Sequence, residues 1–224
     1  FTVPEGLTMK QVAQTLAEQE MGDENRFMSI FKSHNREGYL FPETYVIAQG
    51  LSEQQIADIL YAQFERTFNA QWKERAAELG MSVHEIVTLA SLIEKEAKVD
   101  HERPLISAVF HNRLKSHKYL ESCATVQYAL GQWKKRLSLK DLEVDSPYNT
   151  YKHYGLPPGP ICSPGRQSLY AALYPEDTDA LFFISNGDGT HSFYTRYRDH
   201  LKGKKEYKKM IQEYRQRIRK KPYQ

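Results

Sequence analysis

Apolar positions recur at helical spacing over several stretches of the chain. The opening residues predict a short strand over 1–3, a Pro-Glu-Gly turn and a helix from about Thr8, with Met9, Val12 and Leu16 on one face. Amphipathic helices are expected over 52–69 and, after a shorter helix, over 83–98, where Ser82 and Glu85 form a predicted capping box. Further helices are expected over 103–115 and 199–219.

Strand signals are sparse. The run "ALFFIS-NGDG-THSFYT" predicts a β-hairpin, because two β-prone segments flank a turn of Asn, Gly and Asp. The segment "REGYLFPETYVIAQG" predicts an ordered loop with a short strand, and 120–165 alternates short helices with proline-rich loops. The predicted fold class is therefore α+β: a helix-rich body with short strands and a β-hairpin, preceded by a small β-α lobe.

Charge is unevenly distributed. Residues 202–221 carry ten Lys and Arg against two acids, whereas the remainder carries 21 against 26, so the net charge of +3 comes from the tail. A solvated helix face explains such a run better than nucleic acid does, because the body is net acidic. The tail helix is expected to dock through Ile211, Tyr214 and Ile218, and no nucleic-acid partner is predicted.

Motif searches exclude several classes of enzyme. "HEIVT" at His84 lacks the second histidine of a zinc protease, since Thr88 stands in its place. There is no P-loop, nucleophile elbow or dinucleotide fingerprint, and no Cys/His spacing of a zinc site. We therefore expect no metal and no cofactor.

Two carboxylates in "SLIEKEAKVDHERP" are candidates for chemistry. At about 100° per residue, Glu94 and Glu96 project about 200° apart on opposite borders of the buried stripe, so at most one of them is catalytic. The helical period does not choose between them. Pairing of both with Lys95, Lys98 or Arg103 as ordinary border charges is the alternative.

A series of motifs resembles one known family. "TLASLIEKEA", "ERPLISAVFHNRL", "LESCATVQYALG", "SPYNTYKHYGLPPGPICSPG" and "FFISNGDGTHSF" occur in the order typical of the YceG-like endolytic murein transglycosylases (MltG). "REGYLFPETY" matches the motif that precedes them in that family, so the resemblance runs from about Glu37 to the end of the chain. It implies a partial LysM-like lobe over 1–35 and a YceG-like catalytic domain with a basic C-terminal helix over 36–224.

The resemblance also implies an activity. The family cleaves the MurNAc-GlcNAc β-1,4 bond of peptidoglycan strands and leaves 1,6-anhydroMurNAc ends, in cell-wall assembly. It assigns the catalytic acid to the second glutamate of "EKE", Glu96. One carboxyl suffices, because it first protonates the leaving oxygen and then accepts the proton of the C6 hydroxyl. A non-catalytic peptidoglycan-binding or scaffold protein of the same fold is the alternative.

Substrate-binding residues are expected on rigid polar or aromatic segments near Glu96, since short polar side chains hydrogen-bond sugars and aromatic rings stack on them. Glu37 and Tyr39 are expected on the opposite cleft wall. The other candidates are Ser122, Thr125, Gln127, Tyr148, Asn149 and Tyr151. Loop capping and core packing are the alternative roles for these six residues.

The remaining expectations concern the membrane, the partner proteins and the two cysteines. The resemblance implies a single membrane helix upstream of Phe1, in the inner or plasma membrane, with the catalytic domain outside the cytoplasm and cell-wall synthesis proteins as partners. Cys123 stands where many family members have Asp. Cys123 and Cys162 are expected to lie close together in loops that border the cleft, which makes a disulfide a hypothesis to test.

Overall fold

A computed structural model describes residues 1–48 and 50–219 of the chain. Its helices are α1 (Met9–Glu18), α2 (Glu24–Ser33), α3 (Glu53–Thr67), α4 (Ala70–Glu78), α5 (Val83–Glu96), α6 (Arg103–Lys115), α7 (Cys123–Ala129), α8 (Arg166–Leu173) and α9 (Tyr197–Arg219). Its strands are β1 (Thr2–Val3), β2 (Glu43–Thr44), β3 (Phe182–Ser185) and β4 (His191–Tyr194). The predicted α+β class, rich in helix and with a β-hairpin, is confirmed.

The N-terminal part has the order strand, helix, helix, strand. β1 and β2 pair antiparallel, with Thr2 opposite Thr44. Thr8 caps α1 through a capping box. Helix α2 was not predicted from the sequence; it is capped by Asp23 and buries two phenylalanines one turn apart, Phe27 and Phe31.

Helix α5 runs through the centre of the main core. The predicted capping box between Ser82 and Glu85 is present, and all eight residues from 86 to 93 are buried. The helix ends at Glu96, two residues earlier than predicted, because Ala97 has extended backbone angles. Its last residue therefore lies at the point where the chain turns away.

Two hydrophobic clusters organise the packing. The first is formed by α1, α2 and the first half of α3, and it includes Val12, Phe31 and Ile56. The second surrounds α5, with α8 packed closely against it. Because Phe64 at the far end of α3 belongs to the second cluster, α3 is shared by both. The division of domains at residue 35 stays a prediction.

The turn between β1 and α1 joins the two parts. Gly6 N donates to Ser163 O at 2.9 Å, and Ser163 N donates to Leu7 O at 2.8 Å. The Lys95 ammonium of α5 donates to Gly6 O at 3.1 Å. These bonds hold the N-terminal part against the loop that precedes α8.

The hairpin β3–β4 packs against α9. Gly203 of α9 lies against the Tyr194 hydroxyl of β4, and His200 is buried beside Phe182. Of the stripe predicted to dock this helix, Ile211 is half-buried. The side chains of Tyr214 and Ile218 lie outside the described part of the chain.

Within residues 1–48 and 50–219, no single helix has both the length and the apolar character needed to span a bilayer. Helices α4 and α5 reach those limits only as a pair, with a bend of 90° between them.

Candidate active site

Glu96 is the last residue of α5 and lies against the start of α7. The hydroxyl of Ser122, the N-cap residue of α7, donates to Glu96 Oε1 at 2.6 Å. Ser122 is itself 3% exposed, so this bond is shielded from solvent. The last turn of one helix and the first turn of another therefore fix the carboxyl in place.

Burial raises the pKa of Glu96 above its usual value. The Ser122 hydroxyl, the nearby charges of His191 and Lys98, and the backbone N–H of Ala124 each pull that pKa down by a smaller amount. No carboxylate is among the described groups that shift it. Glu96 is thus an isolated carboxyl that keeps its proton to a higher pH than an exposed glutamate does.

The Glu94 carboxylate, in contrast, is bound by groups of the protein itself. Its Oε2 accepts from Gly165 N at 3.0 Å and from the Ser168 hydroxyl at 2.8 Å, at the beginning of α8. Arg103 Nη1 lies 3.4 Å from the same oxygen, and both side chains are about nine-tenths buried. The Glu94 carboxylate therefore joins α5, α6 and α8, which agrees with the alternative of an ion pair between this residue and Arg103.

A hydroxyl network supports Ser122 from behind. Ser122 N donates to Thr150 Oγ1 at 3.1 Å, and Thr125 Oγ1 donates to Ser122 O at 2.8 Å. The two threonine hydroxyls are 2.9 Å apart. Thr125 is fully buried, so in this conformation it holds Ser122 in place and does not reach the surface.

Two further predicted binding residues anchor loops. Asn149 is fully buried, and its amide donates to the carbonyls of Leu142 and Val144 at 2.9 Å. Gln127 exchanges two hydrogen bonds with the backbone of Lys134, of 2.7 and 2.8 Å. Both amides are occupied within the protein, and their role in binding sugar stays a prediction.

Tyr151 is a neighbour of Cys123 and lies near Glu96. Its hydroxyl is 3.2 Å from Cys123 Sγ at the start of α7. Burial raises the pKa of Tyr151, and the nearby Cys123 and Glu96 add to the rise. The structure thus brings Ser122 and Tyr151 together around Glu96.

A groove of about 800 Å³ opens beside this site, and we call it the α1–α7 groove. Thr8 and Met9 of the N-terminal part line one side, and Ala124, Gln127 and Tyr128 of α7 line the other. Lys95 and Lys98, which flank Glu96 in the chain, also line it. Glu96 is not itself a lining residue, but the backbone N–H of Ala124 acts on its carboxyl, so Glu96 lies at the edge of this groove between the two parts of the molecule.

Trp133 is an aromatic residue of this groove that sequence reasoning missed. It is 62% exposed, and the Lys95 ammonium lies 4.6 Å from its ring centroid. An exposed indole beside a cation presents an apolar face on which a sugar ring can stack. Its sequence neighbourhood, "GQWKKRL", carried no signal because the residue lies in an irregular loop.

Glu37 also lines the α1–α7 groove. Its Oε1 accepts from the backbone N–H of Met9 at 2.8 Å, and its Oε2 accepts from the Tyr128 hydroxyl at 3.1 Å. Burial raises the pKa of Glu37 to about 7, against the lowering effect of these bonds. Gly38 has φ +84°, and a Cβ there would lie 2.4 Å from Pro160, so only glycine fits beside Glu37.

Tyr39 and Tyr148 line a different groove, of about 920 Å³, which we call the Tyr39 groove. The Tyr39 hydroxyl is 2.9 Å from His84 Nδ1. Tyr148 packs against Tyr128 with ring centroids 4.8 Å apart. Because Met9 and Glu37 line both grooves, the two grooves adjoin at those residues.

A buried pair holds the hairpin next to the site. Glu102 Oε2 is 2.7 Å from His191 Nδ1, and Glu102 Oε1 accepts from His191 N at 2.8 Å. Both side chains are at most 8% exposed. Glu102 follows Glu96 by six residues, so this pair fixes β4 to the segment that leaves the site.

The disulfide hypothesis is wrong, because both cysteines are free thiols. Cys162 is buried, with its thiol 3.4 Å from the Ser91 carbonyl of α5. Cys123 is exposed at the start of α7 and faces Tyr151. The start of α7 and the loop that holds Cys162 both approach α5, but the two sulfur atoms face different neighbours.

In the described part of the chain, no group of three or more His, Cys, Asp or Glu side chains is arranged to hold a metal ion. The expectation that the protein uses no metal and no cofactor stays a prediction.

A half-buried glutamate with a raised pKa at the end of a core helix, next to the α1–α7 groove, defines this protein as one with a single-carboxyl site. Residues 1–206 match the YceG-like family, and the chain belongs to that family. This confirms the family resemblance seen in the sequence motifs.

Curated relatives and a solved structure agree with this assignment. An endolytic murein transglycosylase of Bacillus subtilis is 36% identical over 92% of this chain, and one of Streptococcus pneumoniae is 29% identical over 83%. The matched regions cover 64% and 40% of those proteins, so the chain spans less than two thirds of their length. A yceG-like protein from Listeria monocytogenes superimposes with a TM-score of 0.80 at 36% identity, over 90% of this chain and 74% of that one.

Proposed function

We propose that this chain is an endolytic lytic transglycosylase that cleaves the MurNAc-GlcNAc β-1,4 bond of peptidoglycan strands. The observation that carries the proposal is the Glu96 carboxyl, which is held by Ser122, has a raised pKa and lies at the edge of the α1–α7 groove. The name shared by the B. subtilis and S. pneumoniae relatives supports it.

The mechanism follows from a carboxyl that starts protonated. Glu96 donates its proton to the glycosidic oxygen as the bond from that oxygen to C1 of MurNAc breaks. The Glu96 carboxylate then takes the proton of the C6 hydroxyl of the same MurNAc, and O6 bonds to C1. The products are a GlcNAc hydroxyl end and a 1,6-anhydroMurNAc end, and Glu96 is protonated again.

The surroundings of Glu96 suit both halves of this cycle. Burial favours the neutral acid that must donate first, as in other glycosidases with a raised carboxyl pKa. The Ser122 hydroxyl stabilises the carboxylate that forms next. A two-carboxylate hydrolase would need a second acid across the bond, and the described groups that shift the pKa of Glu96 include none.

The groove supplies contacts for a polymer. Trp133 offers a stacking face, and Lys95 and Lys98 place positive charge beside the cleavage point. A long strand lies in this groove, in our proposal, with one of its internal bonds at Glu96. This is the geometry expected of endolytic cleavage.

The wider biological context is part of the proposal. We propose that the N-terminal strand-helix-helix-strand unit is a LysM-like lobe that binds glycan, an assignment supported by its position along the groove. A membrane anchor, a catalytic domain outside the cytoplasm and partners in cell-wall synthesis are proposed on family resemblance alone.

The test is cleavage of purified, uncrosslinked glycan strands, followed by chromatography of the products. Glu96→Gln is expected to lower turnover by a factor on the order of 10² or more while strand binding persists. Glu74→Gln, the same substitution at an exposed position of α4, is the matched control and should cleave at the wild-type rate. A wild-type protein that binds strands without cutting them would favour the non-catalytic scaffold instead.

A further inference from the structure

The Tyr39 groove is the larger of the two adjoining grooves, and the chemistry at Glu96 does not use it. Phe64 of α3 forms part of its wall, with the Tyr39 ring edge-on to it at a centroid distance of 4.9 Å. Tyr61 and Pro160 add further apolar surface. The groove therefore has an aromatic lining of the kind that binds extended organic ligands.

Its polar groups have fixed roles. His84 Nε2 lies 2.9 Å from the Pro158 carbonyl and must donate to it. In the neutral imidazole, Nδ1 is then the acceptor for the Tyr39 hydroxyl at 2.9 Å. The Tyr39 oxygen consequently keeps its own lone pairs for a donor from a ligand. An amide N–H is such a donor.

The rim of the groove is cationic. The Arg36 guanidinium stacks on the Tyr61 ring, 3.5 Å from its centroid, and Lys32 is exposed beside it. Among the described side chains, neither Arg36 nor Lys32 lies within 4.0 Å of a carboxylate, whereas Lys73 is paired with Glu65 at 3.2 Å. A stacked guanidinium keeps its N–H edge available for a planar carboxylate.

The two grooves meet at Met9 and Glu37, so a ligand can extend from one into the other. A peptidoglycan strand carries, on the lactyl group of MurNAc, a short peptide with amide groups and free carboxylates. An extended peptide of about five residues spans roughly 17 Å. Because the grooves share Met9 and Glu37, such a peptide can leave a sugar in one groove and enter the other. Its carboxylates match the unpaired cations, and its amides match Tyr39.

We propose that the Tyr39 groove binds the acidic stem peptide of the strand whose sugars occupy the α1–α7 groove, with Arg36 as the carboxylate-binding residue. This inference rests on the proposed function for its choice of ligand. The protein then recognises the stem peptide as well as the glycan.

Binding is tested first, by calorimetry on the Glu96→Gln protein with a soluble muramyl tripeptide whose carboxylates are free. Arg36→Gln in this background should weaken binding at least fivefold. Arg36→Lys keeps the charge but loses the planar guanidinium, so its affinity should lie between those of the parent and Arg36→Gln. Arg66→Gln is the matched control, an exposed arginine on α3 outside the groove lining, and should bind as the parent does. Equal melting temperatures verify that each variant is folded.

Amidating the carboxylates of the tripeptide tests the same contact by changing the ligand instead of the protein. The amidated probe should bind the parent protein at least fivefold more weakly, and Arg36→Gln should weaken it no further. Equal affinity for both probes, or an additional loss from Arg36→Gln with the amidated probe, would overturn the assignment.

Cleavage assays separate this inference from the proposed function. With otherwise wild-type protein, Arg36→Gln should raise KM about fivefold on peptide-bearing strands and leave strands stripped of peptide by an amidase unaffected. An equal effect on both substrates would refute the peptide site while the transglycosylase stands. If the wild type cleaves neither substrate, the proposed function fails, and the calorimetry alone decides the inference.

Discussion

The Ser122 hydroxyl donates a 2.6 Å hydrogen bond to Glu96 Oε1, which joins the N-cap of α7 to the last residue of α5. This donor stabilises the charged carboxylate and so limits the rise in pKa that burial causes. The bond therefore lowers the pH at which Glu96 passes from acid to base.

Replacing Ser122 should shift the pH dependence of cleavage. Ser122→Ala removes the donor, so the pKa of Glu96 rises further and the alkaline limb of the profile moves to higher pH, with turnover lowered about tenfold. The measurement is kcat/KM against pH. Ser122→Thr keeps a hydroxyl and should restore the wild-type profile; an unchanged profile for Ser122→Ala would show that the bond has no role in proton transfer.

Glu94 should matter for stability. Glu94→Gln removes the buried carboxylate partner of Arg103, leaves it only the exposed carboxylate of Asp100, and weakens the bonds at the start of α8. We therefore expect a loss of about 3 kcal/mol in the free energy of unfolding. Urea denaturation measures it. Glu85→Gln, which keeps an acceptor in the capping box at Ser82, is expected to lose less than about 1 kcal/mol. A loss of less than about 1 kcal/mol for Glu94→Gln as well would contradict a stabilising role for the buried pair.

These contrasts show which features the sequence could and could not predict. The capping box of Ser82 and Glu85 and the β3–β4 hairpin depend on neighbours a few residues away, and both are present where expected. The different environments of Glu94 and Glu96 depend on Gly165 and Ser122, which are distant in the chain. Helical periodicity has no information about such partners, and only the family motif separated the two glutamates.

Thr125 and Asn149 illustrate the same limit. Short polar residues in loops suit both sugar binding and loop anchoring, and the sequence alone does not distinguish them. Their complete burial assigns them internal hydrogen bonds in the structure. Trp133, in contrast, is exposed in the groove, which a residue type alone does not reveal.

Glu37 should make stability depend on pH. Its pKa of about 7 in the folded protein exceeds the ordinary glutamate value of 4.5, so the folded state holds the extra proton and its stabilising contribution is lost as pH rises through 7. Between pH 5 and pH 8 the free energy of unfolding should fall by roughly 2 kcal/mol from this group. Glu37→Gln should flatten the profile in that window, and an identical slope in both proteins would contradict the buried assignment.

The two thiols should differ in accessibility. Cys123 is exposed and should react with a thiol reagent in the native protein, slowly at neutral pH because burial of its surroundings raises its pKa. Cys162 should react only after unfolding. Counting thiols before and after denaturant checks this: two reactive thiols in the native state, or none in the denatured state without reductant, would contradict the structure.

The most direct test of the proposed mechanism is the mass of the new ends produced from long glycan strands. If Glu96 acts alone as acid and then base, wild-type products carry 1,6-anhydroMurNAc ends, lighter by one water than hydrolysis products, and Glu96→Gln yields almost none. Ordinary reducing MurNAc ends would show that water attacks C1 and would contradict the transglycosylase mechanism, and an active Glu96→Gln protein would show that the acid lies elsewhere.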